Sequence, residues 1–206
     1  MEYINLLGIS GSGKSTFFEF YNYPKKLNMM SQFIKFYNFK SIKQIRYLTH
    51  LITPQIKYKV DYIFENYLSD RLHKLTKYEK LKYKLNLLSK FHYNLIVSKM
   101  NPNFVIEDEG ILSFIDNYYI NPIFMEDSFD FERIINEFYL LPNKVIYLDK
   151  SSHELKKIYE KRKDKPWKIN NDINLIDFFE KSKKKYDFFL NQLLKKYNIE
   201  IIYEKK

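Results

Sequence analysis

The chain has 206 residues, 45% of them hydrophobic and 18% aromatic, which excludes a disordered chain and suffices for one substantial core. No run approaches the ~20 apolar residues that span a bilayer, and the absence of cysteine excludes disulfides, thiol nucleophiles and zinc–thiolate sites. The formal charge of +10 does not by itself mark nucleic-acid binding, because lysine is scattered along the predicted helices as a solvated face and there are only four arginines (Arg46, Arg71, Arg133 and Arg162).

The opening MEYINLLGIS has no basic stretch ahead of an apolar run, so no signal peptide is expected, and a cytoplasmic location is. Within it, EYINLLGI is an apolar run of strand length. GISGSGKSTF follows and holds three of the four glycines in the chain. GKSTFFEFYNY reads as a short helix ended by Pro24. Gly8-x-x-x-x-Gly13-Lys14-Ser15 therefore falls between a strand and a helix, the context expected of a phosphate-binding P-loop. Glycines let the backbone turn tightly and aim successive N–H groups at a phosphate. The helix N-terminus adds unpaired N–H groups and the positive end of its dipole. On this reading Gly8, Ser10, Gly11, Ser12, Gly13, Lys14, Ser15 and Thr16 contact the nucleotide. Lys14 reaches the β- and γ-phosphates, and the Ser15 hydroxyl ligates Mg²⁺.

Between residues 23 and 60 no second strand stands out; SQFIKFYNF alternates in part and fits a helix equally. Residues 41–52, with Ser41 as candidate cap, have helical spacing, as do 61–75. Tyr78, Leu81, Leu85, Leu88 and Leu95 mark an amphipathic helix over 77–100. Pro102 and Asn103 break the chain, and FVI then reads as a short buried strand with Glu107, Asp108 and Glu109 at its end, followed by Gly110. In open α/β sheets the ligand lies beyond the carboxyl ends of the strands, where an acid can hold Mg²⁺ through water or take a proton. Side chains alternate along a strand, so Asp108 is expected to face away from Glu107 and Glu109, and the three cannot serve one ion. Residues 128–140 read as helix, KVIYLD as a strand, SSHELKKIYEKRK as a helix capped by Ser151 or Ser152, 173–197 as helix and IEIIYE as a last strand. Strands separated by helices predict a single α/β domain with a parallel sheet wrapped by helices.

GISGSGKST, VIEDEG and VIYLDKSSHELKKIYEKRKDKPW together resemble the P-loop kinases of the nucleoside-monophosphate-kinase-like group, nearest to thymidylate-kinase-like proteins. The resemblance implies a three-layer P-loop NTPase fold over 1–206. It also implies a lid at roughly 158–172 whose arginines contact ATP phosphates, and an acceptor-binding helical region at roughly 41–100. Arg162 matches the second arginine flanking such a lid. Ile158 stands where the first is usual, with Lys161, Lys163 and Lys165 as nearby cations. Asp108-Glu109-Gly110 replaces the Asp-Arg of the thymidylate type, so thymidylate is not the expected acceptor.

The function expected is phosphoryl transfer from ATP to a small molecule, nucleotide or nucleoside first, with Lys14, Asp108, Glu109 and Arg162 as catalytic residues. Mg²⁺ would be held by Ser15 and, through water, by Asp108. Expected partners are ATP and the acceptor, with no membrane and no nucleic acid, and with a homodimer as an option. The alternative is a nucleotide-binding regulator or assembly ATPase without such an acceptor. An ABC-type ATPase needs a glycine-rich signature for which no glycines remain. The Asp-x-x-Gly and Asn-Lys-x-Asp motifs of a GTPase are absent, and an AAA-type motor usually needs a longer chain. His50, His73, His92 and His153 lack metal-ligand spacing, and Trp167 in KDKPW reads first as a packing anchor and second as a cover for a base.

Overall fold

A computed structural model describes residues 1–14, 16–17, 54–101, 103–108, 110–124, 129–163 and 173–205. The expected helix over 41–52, Ser15, Glu109, His50, Trp167 and the lid residues 164–172 lie outside these, as do residues 23–53 of the stretch 23–60 in which no second strand stands out; residues 54–60 are helical. In chain order the elements are β1 (Glu2–Leu7), α1 (Pro54–Asn66), α2 (Ser69–Leu72), α3 (Lys77–Met100), β2 (Phe104–Asp108), α4 (Phe114–Tyr118), α5 (Glu132–Ile135), β3 (Lys144–Asp149), α6 (Ser152–Lys161), α7 (Leu175–Tyr197) and β4 (Glu200–Lys205).

The four strands form one parallel sheet in the order β2-β1-β3-β4. Ile4 to Leu7 pair with Lys144 to Tyr147, and Lys144 to Asp149 pair with Glu200 to Lys205. β1 is buried from Tyr3 onward, and β3 is buried from Val145 to Leu148. Strands covered on both faces need largely apolar runs, which is why EYINLL and KVIYLD were legible. From β1 the chain goes to β2 on one side and then to β3 on the other. That reversal leaves a crevice at the carboxyl ends of β1 and β3.

The described residues divide into two compact units. The sheet unit holds residues 2–14, 16–17, 106–108, 110–124, 129, 142–163 and 173–205. Its core includes Tyr3, Leu6, Val145, Tyr147, Tyr186, Phe189 and Leu193. Of the two candidate caps it is Ser151 that caps α6, in a reciprocal box with Glu154. Asn174 caps the start of α7, and Asn198 ends it with a left-handed φ of 53°.

The helical unit holds residues 54–101, 103–105 and 130–141. Here three expectations are corrected. The helix read over 61–75 is broken: Tyr67 N and Leu68 N both donate to Ile63 O, and the chain restarts at Ser69. The helix over 77–100 has the expected bounds, set by a Thr76–Glu79 capping box and a left-handed Asn101. Its buried face is only partly the expected one: of the expected stripe Leu88 is buried and Leu85 and Leu95 are half-buried. Tyr78 and Leu81 are 76% and 53% exposed, while Tyr83, Leu87, Leu88, Phe91, Asn94 and Val97 are buried. The helix read over 128–140 is reduced to α5 and turns. Buried Asn94 accepts from Tyr139 N and Leu140 N and donates to Leu140 O, so a side chain from α3 takes the place of helical hydrogen bonds there. No described helix is long and apolar enough to cross a membrane.

Candidate functional site

The crevice at the end of β1 is filled by the glycine-rich loop. Gly8, Gly11 and Gly13 have φ of 149°, 98° and 94°, a backbone region that L side chains rarely adopt. At Gly8 space forbids a side chain as well, because a Cβ would stand 2.8 Å from Leu148 O and against Ser12 Oγ. Ser12 N closes a turn onto Ile9 O at 2.9 Å, and Phe17 N bonds Gly13 O at 2.8 Å, so helical bonding begins as the loop ends.

Two cations named from the sequence meet on this loop. Lys14 Nζ donates to Gly8 O at 2.6 Å, folding back over its own loop. Arg162, just past α6, donates to Ser10 Oγ at 2.8 Å across 152 residues of sequence. Ile158, one turn before Arg162, lies with Cγ2 3.0 Å from where a Cβ of Gly11 would be. The last turn of α6 thus holds the loop at Ser10 and Gly11. Tyr186 supports it from beneath, donating to Asp116 and lying 3.5 Å from Gly8 O. Tyr186 also packs on Tyr147, whose hydroxyl is held neutral, far above its ordinary range, by burial and then by the carboxylates of Asp149, Asp187 and Asp116.

Asp108 is the last residue of β2, so its backbone ends on the same carboxyl edge as the loop; its side chain and Glu109 lie outside the described structure. Glu107 was grouped with these acids by sequence, and its setting is different. It is 6% exposed, and its Oε2 accepts from Tyr3 Oη at 2.6 Å and from Asn5 Nδ2 at 3.3 Å. Asn5, fully buried, also accepts from Leu112 N at 3.3 Å. Glu107 therefore ties β2 to β1 and to the turn after Gly110. Asn5 was missed by sequence reading, although a polar residue inside an apolar strand was a usable signal. Lys150 was missed too. It directly follows the acid that ends β3, on the edge where ligands lie.

The residues present suit an anionic, phosphate-bearing ligand. Ser12 Oγ is buried and has no hydrogen-bond partner among the described residues. Such an orphan hydroxyl is costly unless a ligand answers it. Above Gly13 there is room, the nearest atom to its absent Cβ being Lys150 Nζ at 3.9 Å. Among the described residues no three or more His, Cys, Asp and Glu are grouped to hold a metal. A hydroxyl and one water-bridged carboxylate, as expected of Ser15 and Asp108, are the hard, sparse donors that Mg²⁺ accepts beside phosphate oxygens. His73 and His153 are exposed and His92 is half-buried. No protein-family model matches the chain, and no curated protein matches it.

Proposed function

We propose that the chain is a P-loop kinase in the three-layer NTPase fold, transferring the γ-phosphoryl group of ATP to a small-molecule acceptor, with nucleotides and nucleosides first among acceptors. The observation that carries this reading is the convergence of Lys14 and Arg162 on a three-glycine loop at the switch point of a parallel sheet. On this reading Lys14 exchanges Gly8 O for a β- or γ-phosphate oxygen. Loop N–H groups and the Ser12 hydroxyl bind the remaining oxygens. Ser15 and, through water, Asp108 hold Mg²⁺, which neutralises charge on the phosphates when bound. Asp108 or Glu109 orients an acceptor phosphate, or accepts the proton of an acceptor hydroxyl, as the acceptor oxygen bonds to Pγ and the bridging bond to ADP breaks. Arg162 moves from Ser10 Oγ to the transferred group and stabilises its charge.

A second reading, a nucleotide-binding regulator without a small acceptor, is favoured by Ile158, an apolar side chain packed on Gly11 at the loop. One experiment separates the two. Nucleotides, nucleosides, sugars and small phosphorylated metabolites are screened for acceptor-dependent ADP release, with wild type and Arg162→Ala. A kinase gives release with at least one acceptor, and the variant loses roughly tenfold or more in turnover while keeping its ATP affinity. Absence of transfer to every acceptor, with Arg162→Ala altering only the binding of another protein, replaces the kinase by the regulator.

A further inference from the structure

Lys150 is the first residue beyond β3, the neighbour of β1, and its ammonium faces the open side of Gly13 at 3.9 Å from the absent Cβ. The adjacent acid, Asp149, has another partner. Here Lys183 reaches across from α7, pairs with Asp149 Oδ1 at 2.8 Å and donates to Lys150 O at 3.2 Å. Lys183 thus neutralises the adjacent acid and pins the Lys150 backbone. The next acid, Glu154, is engaged by Ser151 N and Oγ at 3.1 and 2.6 Å. Among the described residues the Lys150 ammonium makes no hydrogen bond or ion pair. A half-buried cation whose nearby acid, Glu154, acts on it only at longer range and is itself bonded to Ser151 thus sits above a loop whose Ser12 hydroxyl is buried and unanswered among the described residues. Both features are relieved by one anion.

We propose that Lys150 is a third phosphate-binding cation of the loop, beside Lys14 and Arg162, and that it selects a polyphosphate chain over a single phosphate; this rests on the loop being a nucleotide-phosphate site. Lys14 is anchored at Gly8 O and Lys150 stands over Gly13, at opposite ends of the loop sequence, and a run of phosphates offers an oxygen to each. An ammonium is a compact point charge that follows such a run without demanding bidentate geometry.

The test is titration calorimetry of wild type, Lys150→Ala, Lys150→Gln and Lys150→Arg with ATP, ADP, AMP and inorganic tripolyphosphate. Lys195→Ala, an exposed lysine in the last turn of α7, removes the same charge elsewhere. The expected result is roughly tenfold weaker binding of ATP and tripolyphosphate to the Ala and Gln variants, less than about twofold for AMP, near-wild-type binding by the Arg variant and no change in Lys195→Ala. Thermal melts establish that each variant is folded, and Lys150→Gln and Lys150→Arg decide the matter if Lys150→Ala is not. Wild type that binds ATP while the Lys150 variants bind it equally well, or lose AMP as much as ATP, overturns the role of Lys150 alone. Wild type that binds neither ATP nor tripolyphosphate overturns the nucleotide reading of the loop, and the role of Lys150 with it.

Discussion

Gly110 has a φ of −62°, open to any residue, yet a Cβ there would fall on Asn5 Nδ2 and Glu107 Oε2. Glycine is demanded by the approach of the Asn5–Glu107 pair, not by backbone strain. Gly110→Ala should therefore lower unfolding free energy by about 1–3 kcal/mol in urea denaturation, the ordinary result of overpacking. An unchanged midpoint would show that the pair moves aside freely. The same pair sorts the acids of VIEDE. Glu107 has structural partners in Tyr3 and Asn5, which sets it apart from Asp108 and Glu109, the acids to which the proposed mechanism gives a chemical task. Asp108→Asn should keep the melting temperature within a few degrees and lower turnover roughly a hundredfold. A folded variant with normal turnover on the true acceptor would remove Asp108 from the mechanism.

Among elements, α6 matters most to the site because its last turn carries both Ile158 and Arg162 to the loop. Its start is set by Ser151 and Glu154, each bonding the other's backbone N–H. Those hydrogen bonds hold the Glu154 carboxyl below its ordinary value of 4.5. A carboxylate lowered on folding stabilises fully above that value, and the contribution fades as pH falls through the lower folded value. Ser151→Ala should thus lower the melting temperature by ~2–4 °C at pH 7 and by less at pH 3. A loss independent of pH would mean that Glu154 takes no part. A cap at Ser151 or Ser152 was legible because capping is local, Ser151 and Glu154 being three residues apart. The corrected elements failed for the opposite reason. Asn94 reaches Leu140 across 46 residues and stops a helix that local spacing favours. Along α3, tyrosine, leucine and phenylalanine recur on several faces. The stripe through Tyr78 and Leu81 was as regular as the buried one through Tyr83, Leu87, Asn94 and Val97.

Across the whole molecule, sheet order decides what the motif means. The loop, β1 and β3 could each be read from short windows, because a buried parallel strand and a glycine cluster are local signals. No local signal gives the order β2-β1-β3-β4 that brings the loop, Lys150 and the end of α6 to one edge. Lys150 and Asn5 were overlooked because their importance depends on neighbours far away in sequence. The charge of +10 also acquires a local meaning. Three of the cations, Lys14, Lys150 and Arg162, converge on one loop. The central claim, that this loop binds nucleotide phosphates through Lys14, is tested most directly by calorimetric titration of Mg-ATP into wild type and Lys14→Ala, with melts confirming that both are folded. The account predicts saturable binding by wild type and an affinity at least roughly tenfold lower, about 1.4 kcal/mol, in the variant. Equal affinity in the two proteins, or no binding by wild type, would contradict it.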